Sequence, residues 1–124
     1  MRSIARIEPE VIGGVDTHQD LHYAAVVSPD GTPLGTGGFP TTRAGYRRLL
    51  AWMRSHGKLL RVGVEATGTY GASLVRLLSR EGVPVLEVTG PDMAARRGTG
   101  KDDTIEAIAA AREADSGQGG QGPE

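Results

Sequence analysis

Cysteine is absent, so the chain has no disulfide framework, no thiolate metal site and no cysteine nucleophile, which fits a reducing cytosol. Aromatic residues are scarce, at 4% with one Trp, one Phe and three Tyr, so any core must be aliphatic. Neither sign of charge is in surplus: 14 Lys and Arg face 15 Asp and Glu for a formal net charge of −1. No broad basic field advertises a nucleic-acid partner, and any such contact must come from a local patch. No apolar run approaches the roughly 18 residues that suggest a membrane span, and residues 1–10 lack the apolar centre of a secretory leader. These absences predict a cytoplasmic protein with no membrane contact. At 124 residues there is room for one small domain and not for a two-domain enzyme. What the sequence has in excess is glycine, at 19 residues, which makes the core thin.

Residues 1–10 read as a charged lead-in, residues 11–114 as one domain, and residues 115–124 as a Gly/Gln-rich tail predicted to be disordered. Val11-Ile12-Gly13-Gly14-Val15 is a short strand pattern that stops at Asp16, and Tyr23-Ala24-Ala25-Val26-Val27 is a second. Ser28-Pro29-Asp30-Gly31 is a turn signal that folds the chain back into a third, weak strand from Thr32 to Phe39. The opening is therefore a three-stranded meander. Thr42 is placed to cap a helix with Tyr46, Leu49, Leu50 and Met53 on one face, and Gly57 is its stop. Arg43, Arg47, Arg48 and Arg54 take the wet face. Leu59 to Val64 is a fourth strand ending at Glu65. A helical pattern follows from Tyr70, with Leu74, Leu77 and Leu78 on one face and Gly82 and Pro84 as stops. Val83 to Val88 is a fifth strand, then come a helical turn around Asp92 to Arg97, the Gly98-Thr99-Gly100 linker and a helix-forming stretch from Asp103 to Ala114. This order predicts an α/β fold, a mixed sheet with flanking helices to cover it.

Asp16 and Glu65 each follow an apolar strand directly, at the end where open α/β sheets bind ligands. If those strands are parallel neighbours, two carboxylates meet at one edge, an arrangement stable only if one is protonated or a cation sits between them. Magnesium suits that need, since it prefers hard oxygen ligands and keeps waters that substrate phosphates can replace. Taken singly, Asp16 reads more simply as a turn cap and Glu65 as a solvated strand end. Asp103 and Glu106, three apart at a helix start, share a face and could complete an acidic cluster. The same spacing is close to a capping box, which is the simpler reading of the spacing alone. Asp16, His18, Asp20 and His22 alternate, yet a polar turn between two strands fits them better than a zinc site, whose further ligands are not evident.

The glycine-rich loops fail the phosphate-loop patterns. Gly35 to Pro40 and Gly98 to Asp103 each lack the last glycine of G-x-G-x-x-G, and Gly100-Lys101 is followed by Asp102 where a P-loop needs Ser or Thr. Arg96, Arg97 and Lys101 remain as a local basic loop, able to hold backbone phosphates or simply to be solvated.

Three segments taken in order, Gly14-Val15-Asp16-Thr17-His18-Gln19-Asp20, Val64-Glu65-Ala66-Thr67-Gly68-Thr69-Tyr70-Gly71 and Gly100-Lys101-Asp102-Asp103-Thr104-Ile105-Glu106-Ala107, resemble the N-terminal half of the insertion-sequence-110 family of DEDD transposases. The resemblance covers about residues 11 to 113 and implies a RuvC-like domain of ribonuclease-H-like fold. It implies that Asp16, Glu65, Asp103 and Glu106 are the catalytic, metal-binding acids. Glu106 stands where the family has Asp, and Asp102 where it has a small polar residue. The implied cofactor is Mg2+, with Mn2+ as a substitute. The implied partners are DNA, a guide RNA and, for intact members, further copies of the protein. The implied activity is metal-dependent strand exchange in DNA transposition.

The family's C-terminal domain with its serine nucleophile has no counterpart after Glu113, and neither has its long helical insertion. The expectation is a truncated copy, ended by a frameshift or early stop near Ser116 and inactive by itself. Two other readings stand beside it: a catalytically silent nucleic-acid-binding remnant, and a fragment of the actin-like ATPase superfold. The latter predicts a phosphate-contacting glycine after the first acid, where this chain has Thr17-His18.

Overall fold

The computed structural model describes residues 8–65, 70–88 and 103–116. Its opening is the meander read from the sequence: β1 (Glu10–Asp16), β2 (Leu21–Val27) and β3 (Pro33–Pro40), each antiparallel to the next. The chain then crosses through α1 (Arg43–Arg54) to β4 (Lys58–Glu65), and through α2 (Ala72–Arg80) to β5 (Val85–Val88). β4 pairs parallel with β1, and β5 parallel with β4, so the order across the sheet is β3-β2-β1-β4-β5. A last helix, α3 (Asp103–Ser116), lies across the sheet.

The elements form for local reasons. Thr42 caps α1, its hydroxyl accepting from the Gly45 N–H at 3.0 Å, a contact worth about 1 kcal/mol. The fifth strand starts at Val85 and not at Val83 as the sequence pattern suggests, because Pro84 has no N–H to give to a ladder. Pro84 still contributes its carbonyl, which accepts from Val62 N–H at 3.0 Å and starts the parallel pairing. The helical turn expected around Asp92 to Arg97 lies outside the described residues.

Strand alternation divides the core between the two sheet faces. On one face Val11, Val15, Ala24, Val26, Val62 and Val64 meet Tyr46, Leu49, Leu50 and Met53 of α1 and Leu74, Leu77 and Leu78 of α2. On the other, Ile12 and Val27 meet Ala111 and Ala114 of α3. The second face is made close by glycine. Gly14 and Gly63 are register partners, and a Cβ on Gly14 would strike the backbone of Ala107 and Ala111, one on Gly63 that of Ala110. Helix and sheet therefore touch backbone to backbone along the stripe Ala107, Ala110, Ala111 and Ala114, all fully buried. Among the described residues, no helix is long and apolar enough to cross a membrane.

Candidate active site

Asp16 and Glu65 end the two adjacent parallel strands β1 and β4 and are direct register partners. Both are buried, at 2% and 5% exposure. Each stands two residues beyond one of the paired glycines, so both belong to the face covered by α3. A β-bulge sets this alignment: Val11 pairs with Leu59 but Ile12 with Arg61, and the extra residue shifts β4 by one against β1.

The direction of α3 brings its first turn to the same place. Ala107 and Ala111 lie against Gly14, while Ala111 and Ala114 pack on Ile12, so the helix runs antiparallel to β1. Two residues of strand advance by roughly 6.6 Å, the length of about four residues of helix. Four residues back from the Gly14 contact is the turn from Asp103 to Glu106, over the ends of β1 and β4. Glu106 is buried at 2% exposure, and its Oε1 meets no hydrogen-bond partner among the described residues. The Asp103 side chain, Asp102, and the basic residues Arg96, Arg97 and Lys101 lie outside the described part of the structure. Among the described residues no set of three His, Cys, Asp or Glu converges closely enough to enclose an ion.

Two histidines that spacing alone leaves in a polar turn have defined places. The strand breaks after Asp16 and resumes at Leu21, so Asp16, His18, Asp20 and His22 do not align along one strand. His18 Nε2 lies 2.9 Å from Asp16 Oδ2, and its ring stands edge-on to Tyr23. The His18 backbone N–H donates to His22 Nδ1 at 3.3 Å. An accepting Nδ1 places the proton of the neutral His22 ring on Nε2. His22 is fully buried and stacks on Tyr46 with ring centroids 5.7 Å apart. Burial is the main cause that holds its pKa below the ordinary 6.5, and the neighbouring His18 adds to it; the Leu21 and Tyr70 backbone and Asp16 act in the opposite sense. The Thr17 hydroxyl donates to the Glu65 carbonyl at 3.0 Å, tying the loop after β1 to the end of β4. The sequence offers one signal for this network, a pair of histidines flanking a strand break, and that signal does not separate it from a solvated loop.

The three helices among the described residues begin at this end of the sheet: α1 after the end of β3, α2 after the end of β4, and α3 by the packing just described. Their positive dipole ends therefore face the rim that carries the acids, which favours anions there.

A protein-family model for DEDD transposases of the IS110 type, described as Transposase, matches residues 13–119. Among solved structures, RuvC of Thermus thermophilus in complex with Holliday junction substrate is similar at a TM-score of 0.62 and 17% identity, covering 88% of this chain and 97% of that one. A second Thermus thermophilus RuvC structure gives 0.58 and 16%, covering 87% and 97%. A ROK family glucokinase from Streptomyces griseus, in complex with glucose and AMPPNP, gives 0.50 and 22%, covering 68% of this chain but 35% of that one. No curated protein matches the sequence significantly. At these identities the structural likenesses show the fold, an α/β sheet of the RuvC, ribonuclease-H-like kind.

Proposed function

Because the chain belongs to the IS110 family of DEDD transposases, we propose that it is the metal-dependent, DNA-processing domain of such an enzyme, with Asp16, Glu65, Asp103 and Glu106 as its acids. The observation that carries this reading is the in-register pairing of buried Asp16 and Glu65 beneath the first turn of α3, which also bears buried Glu106.

The donor set is carboxylate throughout, which fits a hard divalent cation, Mg2+ or Mn2+, better than zinc. A Glu106 oxygen buried with no hydrogen-bond partner among the described residues is an acceptor in want of a cation or a donor. A divalent ion held by these acids would supply charge neutralisation for chemistry at a scissile phosphate. The chain's own residues prepare that place. His18 holds one oxygen of Asp16 and so fixes how the carboxylate faces the rim. Thr17 pins the end of β4, which keeps Glu65 beside Asp16. Glu106 is one methylene longer than the Asp usual in the family and reaches from a helix that glycine lets come close. The substrate in this reading is DNA. The guide RNA, the partner copies and the serine-bearing domain that complete strand exchange in the family belong to the same proposal. Translating the DNA beyond codon 124 in all three frames tests whether such a continuation exists.

Calorimetric titration of the full chain with Mg2+ or Mn2+ tests the assignment directly. Binding is expected for the wild type and lost in both Asp16→Ala and Glu65→Ala, and unchanged affinity in either variant overturns it. A second reading, nucleic-acid binding without chemistry, is favoured by Glu106 in place of Asp. Salt-dependent DNA binding that is indifferent to Mg2+ selects that reading.

A further inference from the structure

On the opposite face of the sheet, the start of α1 and the outer side of α2 enclose a cleft of about 330 Å3. Arg43 stands on one wall, Arg76 and Arg80 on the other, with Thr41, Ser73 and Tyr46 between them, and among the described residues no Asp or Glu lines it. Among the described residues none of these three guanidinium groups pairs with a carboxylate; the polar contact that Arg76 makes is to Ser73 Oγ, at 3.2 Å from Nη2. Three cations in one concavity, none paired with a carboxylate among the described residues, repel each other, and in a chain of net charge −1 this is a local concentration of one sign.

We propose that this cleft binds the phosphodiester backbone of a nucleic-acid strand. Arg76 and Arg80 are four apart on α2, so their side chains leave the helix roughly 6 Å apart, a spacing suited to successive phosphates of one strand. Arg43 faces them from the first turn of α1, where the helix dipole also favours an anion. Guanidinium groups grip phosphate oxygens in pairs, and the Ser73 hydroxyl adds a short polar donor. The cleft connects to the acidic rim through packed groups. Tyr46 lines it and stacks on His22, His22 accepts from the His18 N–H, and His18 holds Asp16. Thr41 ties the same corner to the loop after β1, its N–H donating to the Asp20 carbonyl and its hydroxyl to the Gln19 carbonyl. A strand lying in the cleft is thereby led toward the end of β1. The choice of a nucleic-acid strand as occupant rests on the reading of the rim given above; the cleft's need for an anion does not.

The test uses the full chain in EDTA, so that it is independent of any metal, with labelled oligothymidylate followed by fluorescence anisotropy across a salt series. The variant R43Q/R76Q/R80Q is compared with R48Q/R54Q/K58Q, which removes the same charge outside the cleft. Loss of three strand contacts is expected to weaken binding by about tenfold or more at low salt and to lower the salt slope by about 2. The control triple is expected to keep most of the wild-type affinity and slope, and thermal melts of both confirm that they fold. Equal losses in the two triples, or wild-type binding by R43Q/R76Q/R80Q, overturns the proposal. Stronger competition by polyglutamate than by unlabelled oligothymidylate also overturns it, since the cleft then takes an acidic peptide. An oligouridylate arm distinguishes an RNA from a DNA strand, and preferential binding of either supports the site. The titration in EDTA involves no metal, so the metal assignment and the cleft fail separately.

Discussion

The two faces of the sheet are built on different principles. The face under α1 and α2 is filled with Leu, Met and Val, and gains its stability from apolar area. The face under α3 is alanine on glycine, which buries little area per residue but brings helix and strand backbones into contact. The difference separates two tasks. Bulk on one side holds the sheet together, while closeness on the other lets the first turn of a helix reach the ends of two strands. The acids lie on the close side.

If that division is right, the two faces should respond to opposite kinds of mutation. Leu78 is fully buried on the bulky side, and Leu78→Ala is expected to cost about 3 kcal/mol in urea unfolding because it leaves a cavity. On the close side the damaging change is addition. Gly14→Ala is expected to cost about 2 kcal/mol, since the new methyl meets helix backbone that cannot rotate away. It should also weaken Mg2+ binding in calorimetry by lifting the first turn of α3 from the rim, an effect that Leu78→Ala should not share. Equal metal affinities in the two variants would break the comparison.

Much of this was legible in the sequence, and the exceptions have a common cause. The meander, the Thr42 cap, the leucine face of α2 and the placement of Asp16 and Glu65 at strand ends follow from local patterns of period 2 and 3.6. The bulge after Leu59 was not legible, although it decides which side of the sheet Glu65 joins, because slipping a strand by one residue inverts its faces and leaves no mark in composition. From its spacing the Asp103 to Glu106 segment reads first as a cap, and the long-range packing of Ala107 and Ala111 on Gly14 brings that turn to the rim. His22 reads from the sequence as a turn residue but is buried on Tyr46, because a single His on a strand end carries no sign of which neighbour will cover it.

A smaller effect sharpens the contrast within the close face itself. Asp16 and Glu65 are carboxylates on neighbouring strand ends in direct register, a pairing that costs stability where both are ionised with no cation between them. Glu65→Gln keeps the shape and removes the repulsion, so metal-free stability is expected to rise by under about 1 kcal/mol while Mg2+ binding is lost. A residue that trades stability for function shows this opposition, whereas a purely structural carboxylate loses on both counts. Chemical denaturation in EDTA beside metal titration tells the two apart.

The smallest expected effect is a pH dependence located on the bulky face. Burial against Tyr46 holds the His22 pKa in the folded state below the 6.5 of an unfolded chain. Above pH 6.5 both states are neutral at this ring and its stabilisation is complete. As the pH falls below 6.5 the unfolded chain takes up a proton that the folded one refuses, and stability is lost until the lowered folded pKa is passed. Protonation there also places a charge beside His18, which holds Asp16, so the loss should reach the acidic rim. His22→Phe preserves the stack on Tyr46 and cannot titrate. Its unfolding free energy between pH 7 and 5 should therefore be flatter than that of the wild type, and an equal slope in the two proteins would place the titrating group elsewhere.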